Sequence, residues 1–179
     1  PASVRQISNQ NLHGLPAAEY ILITHPLFVS QANKLADFHR SHFGRTVHVV
    51  NVKEIYNEFS SGALDPTAIR DFLKMFYDRH LGSGNEPQYA LMMGDGSYDY
   101  KNRIAAGESN FIPTYQSRKS QRPTESYTSD DYYGFLADGD GFLGEKAGLE
   151  GGTVDILYWT EGDTLTNTHN LQVAIGRLP

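Results

Sequence analysis

Along this chain, short unbroken apolar runs alternate with longer stretches whose apolar positions recur every three or four residues. Tyr20–Thr24 (Tyr-Ile-Leu-Ile-Thr) has no polar alternation. It reads as a strand buried on both faces, as in a parallel sheet. His25-Pro26 ends it, and Ser30–Phe43 follows with Ala32, Leu35, Ala36 and Phe43 at helical spacing and Gly44 as the stop. Thr46–Val52 is rich in β-branched residues and predicts a second strand. Lys53–Phe59 predicts a turn or two of helix. Asp65 is a helix cap with Pro66 at the first helical position, and Ile69, Phe72, Leu73, Phe76, Tyr77 and His80 line the apolar face that follows. Gly82, Gly84 and Pro87 close that helix. Tyr89–Met93 is the third strand, again with the look of burial on both faces. Alternation of this kind predicts an α/β fold with right-handed crossovers. The expected strand order is second, first, third, fourth, all parallel.

The pattern changes after Arg103. Phe111–Tyr115 predicts a short edge or irregular strand, because Pro113 lies within it. Gln116–Thr128 is polar and reads as a surface loop. Tyr132–Leu136 predicts a short strand or the approach to one, Ala137–Gly152 a Gly- and acid-rich loop, and Thr153–Thr160 one strand of a hairpin turning at Glu161-Gly162-Asp163. Val173–Ile175 is the last buried run. The expected organisation is a lead-in over residues 1–19, one α/β unit over 20–172 with an insertion around 137–172, and a strand over 173–179 that leads onward.

Composition narrows the functions. Apolar residues make up 39% and charged residues 20%, which suits a packed core. The formal net charge of −6 argues against a nucleic-acid partner. No run approaches the roughly 18 apolar residues of a membrane span. No signal-peptide pattern is visible at the polar start, which lacks Met, so a chain trimmed at its beginning is expected. There is no cysteine, which excludes disulfides, thiolate metal sites and a cysteine nucleophile within these residues.

The densest polar chemistry follows the third strand, in Gly-Asp-Gly-Ser-Tyr-Asp-Tyr-Lys-Asn-Arg from Gly94. Carboxyl ends of strands are where open α/β sheets place function. The reading here is a structural polar cluster. Asp95 and Asp99 would accept backbone donors, and Lys101 and Arg103 would pair with them or with Asp130 and Asp131. No catalytic residue is assigned. Glycine-rich dinucleotide and phosphate loops are absent, as is the Gly-x-Ser-x-Gly elbow. His25 stands at a strand end, where it could act chemically or cap the next helix. His39 and His42 lack a third metal ligand nearby. Asp138 and Asp140, with Glu145 following, form a fragment of a calcium loop whose next ligand position holds Phe142. Calcium and an ordinary acidic turn are both open for them.

Six blocks in order carry a resemblance: Tyr-Ile-Leu-Ile-Thr-His-Pro from Tyr20, Ile-Tyr-Asn-Glu-Phe-Ser-Ser-Gly from Ile55, Asp-Pro-Thr-Ala-Ile-Arg-Asp-Phe from Asp65, the Gly94 block, Ser-Asp-Asp-Tyr-Tyr-Gly from Ser129, and Ile-Gly-Arg-Leu-Pro from Ile175. Together they resemble the gingipain-type cysteine peptidase family, nearest its PorU-type branch, the sortase of the type IX secretion system. The resemblance implies a caspase–haemoglobinase-like fold: a mostly parallel open sheet flanked by helices, with a flavodoxin-like first subdomain. It implies a His–Cys dyad in a second subdomain beyond Ile-Gly-Arg-Leu-Pro, so His169 is not promoted to that role. It further implies cargo cleavage at the cell surface, with the second subdomain, secreted cargo and other secretion components as partners. The alternative is a stand-alone doubly wound binding or structural module.

Overall fold

The computed structural model describes residues 7, 9–100, 103, 110–116, 128–136 and 171–179. Four strands form one parallel sheet: β1 (Tyr20–Thr24), β2 (Val47–Asn51), β3 (Tyr89–Met93) and β6 (Ala174–Leu178), in the order β2-β1-β3-β6. The expected order and direction therefore occur, with the last buried run in fourth place. Register is in step across the sheet: Leu22 lies beside Val49 on one side and Leu91 on the other, and Met92 lies beside Arg177. β1 is buried at every residue because strands flank it on both sides and helices cover both its faces.

The two faces are covered unequally. Helices α2 (Val52–Phe59) and α3 (Pro66–His80) build the larger core, packing Ile55, Tyr56, Ile69, Phe72, Leu73 and Phe76 against Ile21, Ile23, Ala90 and Met92. Helix α1 (Val29–Phe43) lies on the opposite face, where Ala36 packs with Leu22 and Val47. It packs chiefly on β1 and β2. Tyr89 is exposed, and Leu91 and Met93 are only half-buried, so β3 is not buried on both faces as its unbroken apolar run predicted.

Local chemistry sets the helix ends. Gly44 adopts φ 64° and its N–H donates to the Arg40 carbonyl, closing α1. The Asn51 side chain accepts from Lys53 N–H at 3.0 Å to start α2. Asp65 accepts from Thr67 N–H at 2.8 Å, ahead of Pro66, to start α3. The lead-in is anchored by Glu58 of α2, whose carboxylate accepts from Leu12 N–H at 2.7 Å and contacts His13 Nδ1 at 2.6 Å.

Two predicted strands are corrected. In Phe111–Tyr115 the first residues bend, because Phe111 and Ile112 both donate their N–H to the Asp95 carbonyl. Only Tyr115 and Gln116 (β4) pair, antiparallel with Thr128 and Ser129 (β5). Tyr132–Leu136 is not a strand. Asp131–Tyr133 forms a 3-10 turn instead, and Arg70 and Lys74 of α3 donate to the carbonyls of Phe135 and Leu136. The predicted hairpin at Thr153–Thr160 lies outside the described residues.

Candidate functional site

The polar chemistry collects at the carboxyl ends of β3 and β6. β3 stops at Gly94, which adopts φ 143°; a Cβ there would lie 2.8 Å from Phe111 Cβ. Only glycine takes that conformation without strain and lets the incoming segment approach. The next residue, Asp95, holds the turn mainly through its main chain, whose carbonyl accepts from Phe111 and Ile112 at 2.9 and 3.1 Å. Its carboxylate is exposed and accepts from the adjacent Gly96 N–H at 2.8 Å. Ser97 is buried; its N–H donates to Asn110 Oδ1, and its hydroxyl oxygen accepts from Asp99 N–H, both at 3.1 Å. Likewise Ser129 Oγ accepts from Asp131 N–H at 3.1 Å.

Arg177 is the centre of this region. It sits beside Met92, at a core-facing position near the end of β6. A guanidinium there needs all five N–H donors matched. Nε and Nη2 grip the two oxygens of Asp130 at 2.7 Å each. Nη1 donates to the carbonyls of Gly94 and Ile112, and Nη2 also donates to that of Pro113. Burial works against the charge, but Asp130, with Tyr133 and Asp95, outweighs it and raises the Arg177 pKa. Tyr133, fully buried beneath, donates its hydroxyl to the same Pro113 carbonyl, and burial pushes its pKa well up. The result is a cross-link joining β3, β6, the 110–114 segment and the turn at Asp130.

The residues singled out from the sequence fall as follows. Asp95, Asp99, Asp130 and Asp131 lie around this region. Arg103 is exposed, and Lys101 is outside the described residues. The partner of Asp130 is Arg177, which parallel pairing brings alongside from 47 residues away. Its sequence signal was a charge at a core-facing position of an otherwise apolar strand ending Ile-Gly-Arg-Leu-Pro. Asp138, Asp140 and Glu145 also lie outside the described residues. Among the described residues no group of three or more His, Asp or Glu side chains could hold a metal ion. His25 caps the turn after β1, its Nδ1 accepting from Leu27 N–H at 3.4 Å. His39 packs edge-on to Tyr20 and His42 stacks on Phe38.

A saturated guanidinium and main-chain carbonyls offer no nucleophile. The arrangement suits holding chain in place. Comparison with known proteins agrees on the scaffold. The crystal structure of dimeric latent PorU from Porphyromonas gingivalis matches with a TM-score of 0.72 and 31% identity, over 97% of this chain and 15% of that one. This chain thus spans a small part of that relative's length. Curated protein sequences yield no match. The model of peptidase family C25 matches residues 13–179. The fold is the α/β, caspase-like arrangement of that relative, and the chain belongs to peptidase family C25, the gingipain family.

Proposed function

We propose that this chain is the non-catalytic first subdomain of a longer cysteine peptidase or sortase, with the dyad supplied by the rest of the polypeptide. One observation carries the reading: a member of a cysteine peptidase family contains no cysteine in its 179 residues. The match to only 15% of a relative's chain supports a larger parent. In that parent a thiolate would attack the scissile carbonyl and expel the amine with a proton from the histidine. Water or an acceptor amine would then resolve the thioester and release the thiolate. The substrates would be C-terminal sorting domains of secreted cargo, cut at the cell surface. Here the chain's part is to buttress the catalytic half through the sheet and the Arg177 cross-link.

The test compares this chain with the longer polypeptide on a peptide spanning a cargo–sorting-domain junction, with and without an added amine. The longer polypeptide should cleave, form the amine-ligated product and lose both activities to iodoacetamide. The 179-residue chain alone should do neither. Turnover by the chain alone that survives repurification and iodoacetamide would overturn the proposal.

A further inference from the structure

At the amino ends of the strands, opposite the Arg177 cross-link, aromatic side chains gather on the surface. Here α1 finishes with Phe38 and Phe43, 45% and 59% exposed, and β3 opens with Tyr89 at 36%. Lone exposed apolar side chains need no explanation, but these rings touch. Phe38 packs edge-on to Phe43 at 5.7 Å and stacks on His42 at 4.4 Å. The Arg45 guanidinium bridges Phe43, at 5.7 Å, to Tyr89, at 4.3 Å. The surface continues along the sheet. Leu91 and Met93 follow Tyr89 on one face of β3, and register puts Ala174 and Leu178 of β6 on that face beside them. Leu91 and Met93 are half-buried, and Ala174 and Leu178 are exposed, because α1 packs chiefly on the other two strands.

Arg45 decides what kind of partner fits. Arg40, Arg70, Arg79 and Arg177 each donate to a main-chain carbonyl. No N–H of the Arg45 guanidinium meets an acceptor among the described residues, although the group is held over the Tyr89 ring. A stacked guanidinium keeps its donor edge open to a planar carboxylate, which it can grip with two parallel bonds. Aromatic rings around an arginine are also the composition of protein interface cores, where lysine and acids are scarce. The complement is therefore protein, with apolar side chains flanking a carboxylate.

Area decides where that protein comes from. The open sheet face is about 10 Å by 17 Å. Even with the rings of Phe38 and Phe43 added, it falls well short of the roughly 800 Å² per partner of a freely associating pair. A tethered segment needs less area, because its effective concentration is about millimolar. The source is available on the reading that this chain is one part of a longer peptidase: it matches only 15% of the Porphyromonas gingivalis PorU chain. We propose that this aromatic surface docks a segment from elsewhere in the same longer polypeptide, an apolar strip bearing one carboxylate that pairs with Arg45.

The test is hydrogen exchange, read by mass spectrometry at residues 38–46 and 89–93, on this chain and on the longer polypeptide. Amides there are hydrogen-bonded, Gly44 to Arg40 and Tyr89 to Glu19 among them, so their exchange is measurable. They should exchange at least about tenfold more slowly in the longer polypeptide, at every protein concentration. Phe43→Gln and Arg45→Glu replace an exposed ring and an unmatched cation, so this chain should keep its thermal midpoint to within a few degrees. In the longer polypeptide each substitution should restore the faster exchange. Equal rates in the two proteins, protection that grows with concentration as a second copy docks, or protection that survives both substitutions would overturn the proposal. A longer polypeptide that cleaves its peptide yet exchanges like this chain would overturn the docking alone. One that protects these amides without cleaving would support the docking and overturn the peptidase reading alone.

Discussion

Arg177 and Glu58 show how single side chains govern this molecule. Removing the guanidinium would leave Asp130 charged and half-buried and strip the Gly94 and Ile112 carbonyls of their donor, while that of Pro113 keeps Tyr133. Arg177→Ala should cost about 3–5 kcal/mol in urea unfolding, as when one partner of a buried pair is lost. Asp95→Ala should cost under about 1 kcal/mol, because its exposed carboxylate accepts only a neighbouring N–H while its carbonyl holds the turn. Equal losses for the two would show that the carboxylate holds the turn after all. Glu58 gives a pH signature. Burial pushes its carboxyl up, but the N–H groups of Leu12, Gln10 and His13 outweigh that and bring it from 4.5 to about 2. A depressed carboxyl contributes stability above its unfolded value and loses it as pH falls through the folded one. Glu58→Gln should therefore cost about 1–2 kcal/mol at pH 7, solvent screening taking part of the full shift, and the gap from wild type should close between about pH 5 and 2. A gap independent of pH would refute this.

At the scale of elements, strand and helix ends rest on a few conformational demands. Gly44 and Gly94 both have positive φ, yet they differ in surroundings: a Cβ at Gly44 meets nothing within 4 Å, whereas one at Gly94 meets Phe111 at 2.8 Å. Gly44→Ala should cost about 1 kcal/mol, from backbone strain alone. Gly94→Ala should cost more, about 2–3 kcal/mol, since strain and collision add. Thermal unfolding of the two variants would order them, and a Gly94→Ala protein as stable as Gly44→Ala would contradict the close approach. The same crowding explains why Phe111–Tyr115 bends where a strand was expected: the Asp95 carbonyl takes the N–H groups that a ladder would have used.

For the whole molecule, the uneven helix cover is the main feature. α1 covers β1 and β2, leaving Tyr89 exposed and Leu91 half-buried on the same sheet face. Among the described residues β6 has a neighbour on one side only, and Leu178 at its end is exposed. Unpaired strand edges invite pairing, and natural chains cover them. Hydrogen exchange of β6 amides should slow at least about tenfold in the longer polypeptide relative to this chain, if the catalytic half sits against that edge. Unchanged exchange would place the partner elsewhere. No helix among the described residues is long and apolar enough to cross a membrane.

Sequence alone determined the four strands of the sheet, the bounds of α1 and α3 to within a residue, their caps at Gly44 and Asp65-Pro66, and the parallel order of the sheet. These follow from local periodicity, capping chemistry and crossover handedness, each of which acts within or between consecutive elements. Tertiary structure alone decided that Arg177 meets Asp130 and that Glu58 holds Leu12 from 46 residues away. It also decided that β3 is half-covered. The physical reason is the same in each case: such contacts depend on which strands become neighbours and how far a helix reaches, and sequence spacing carries no measure of either.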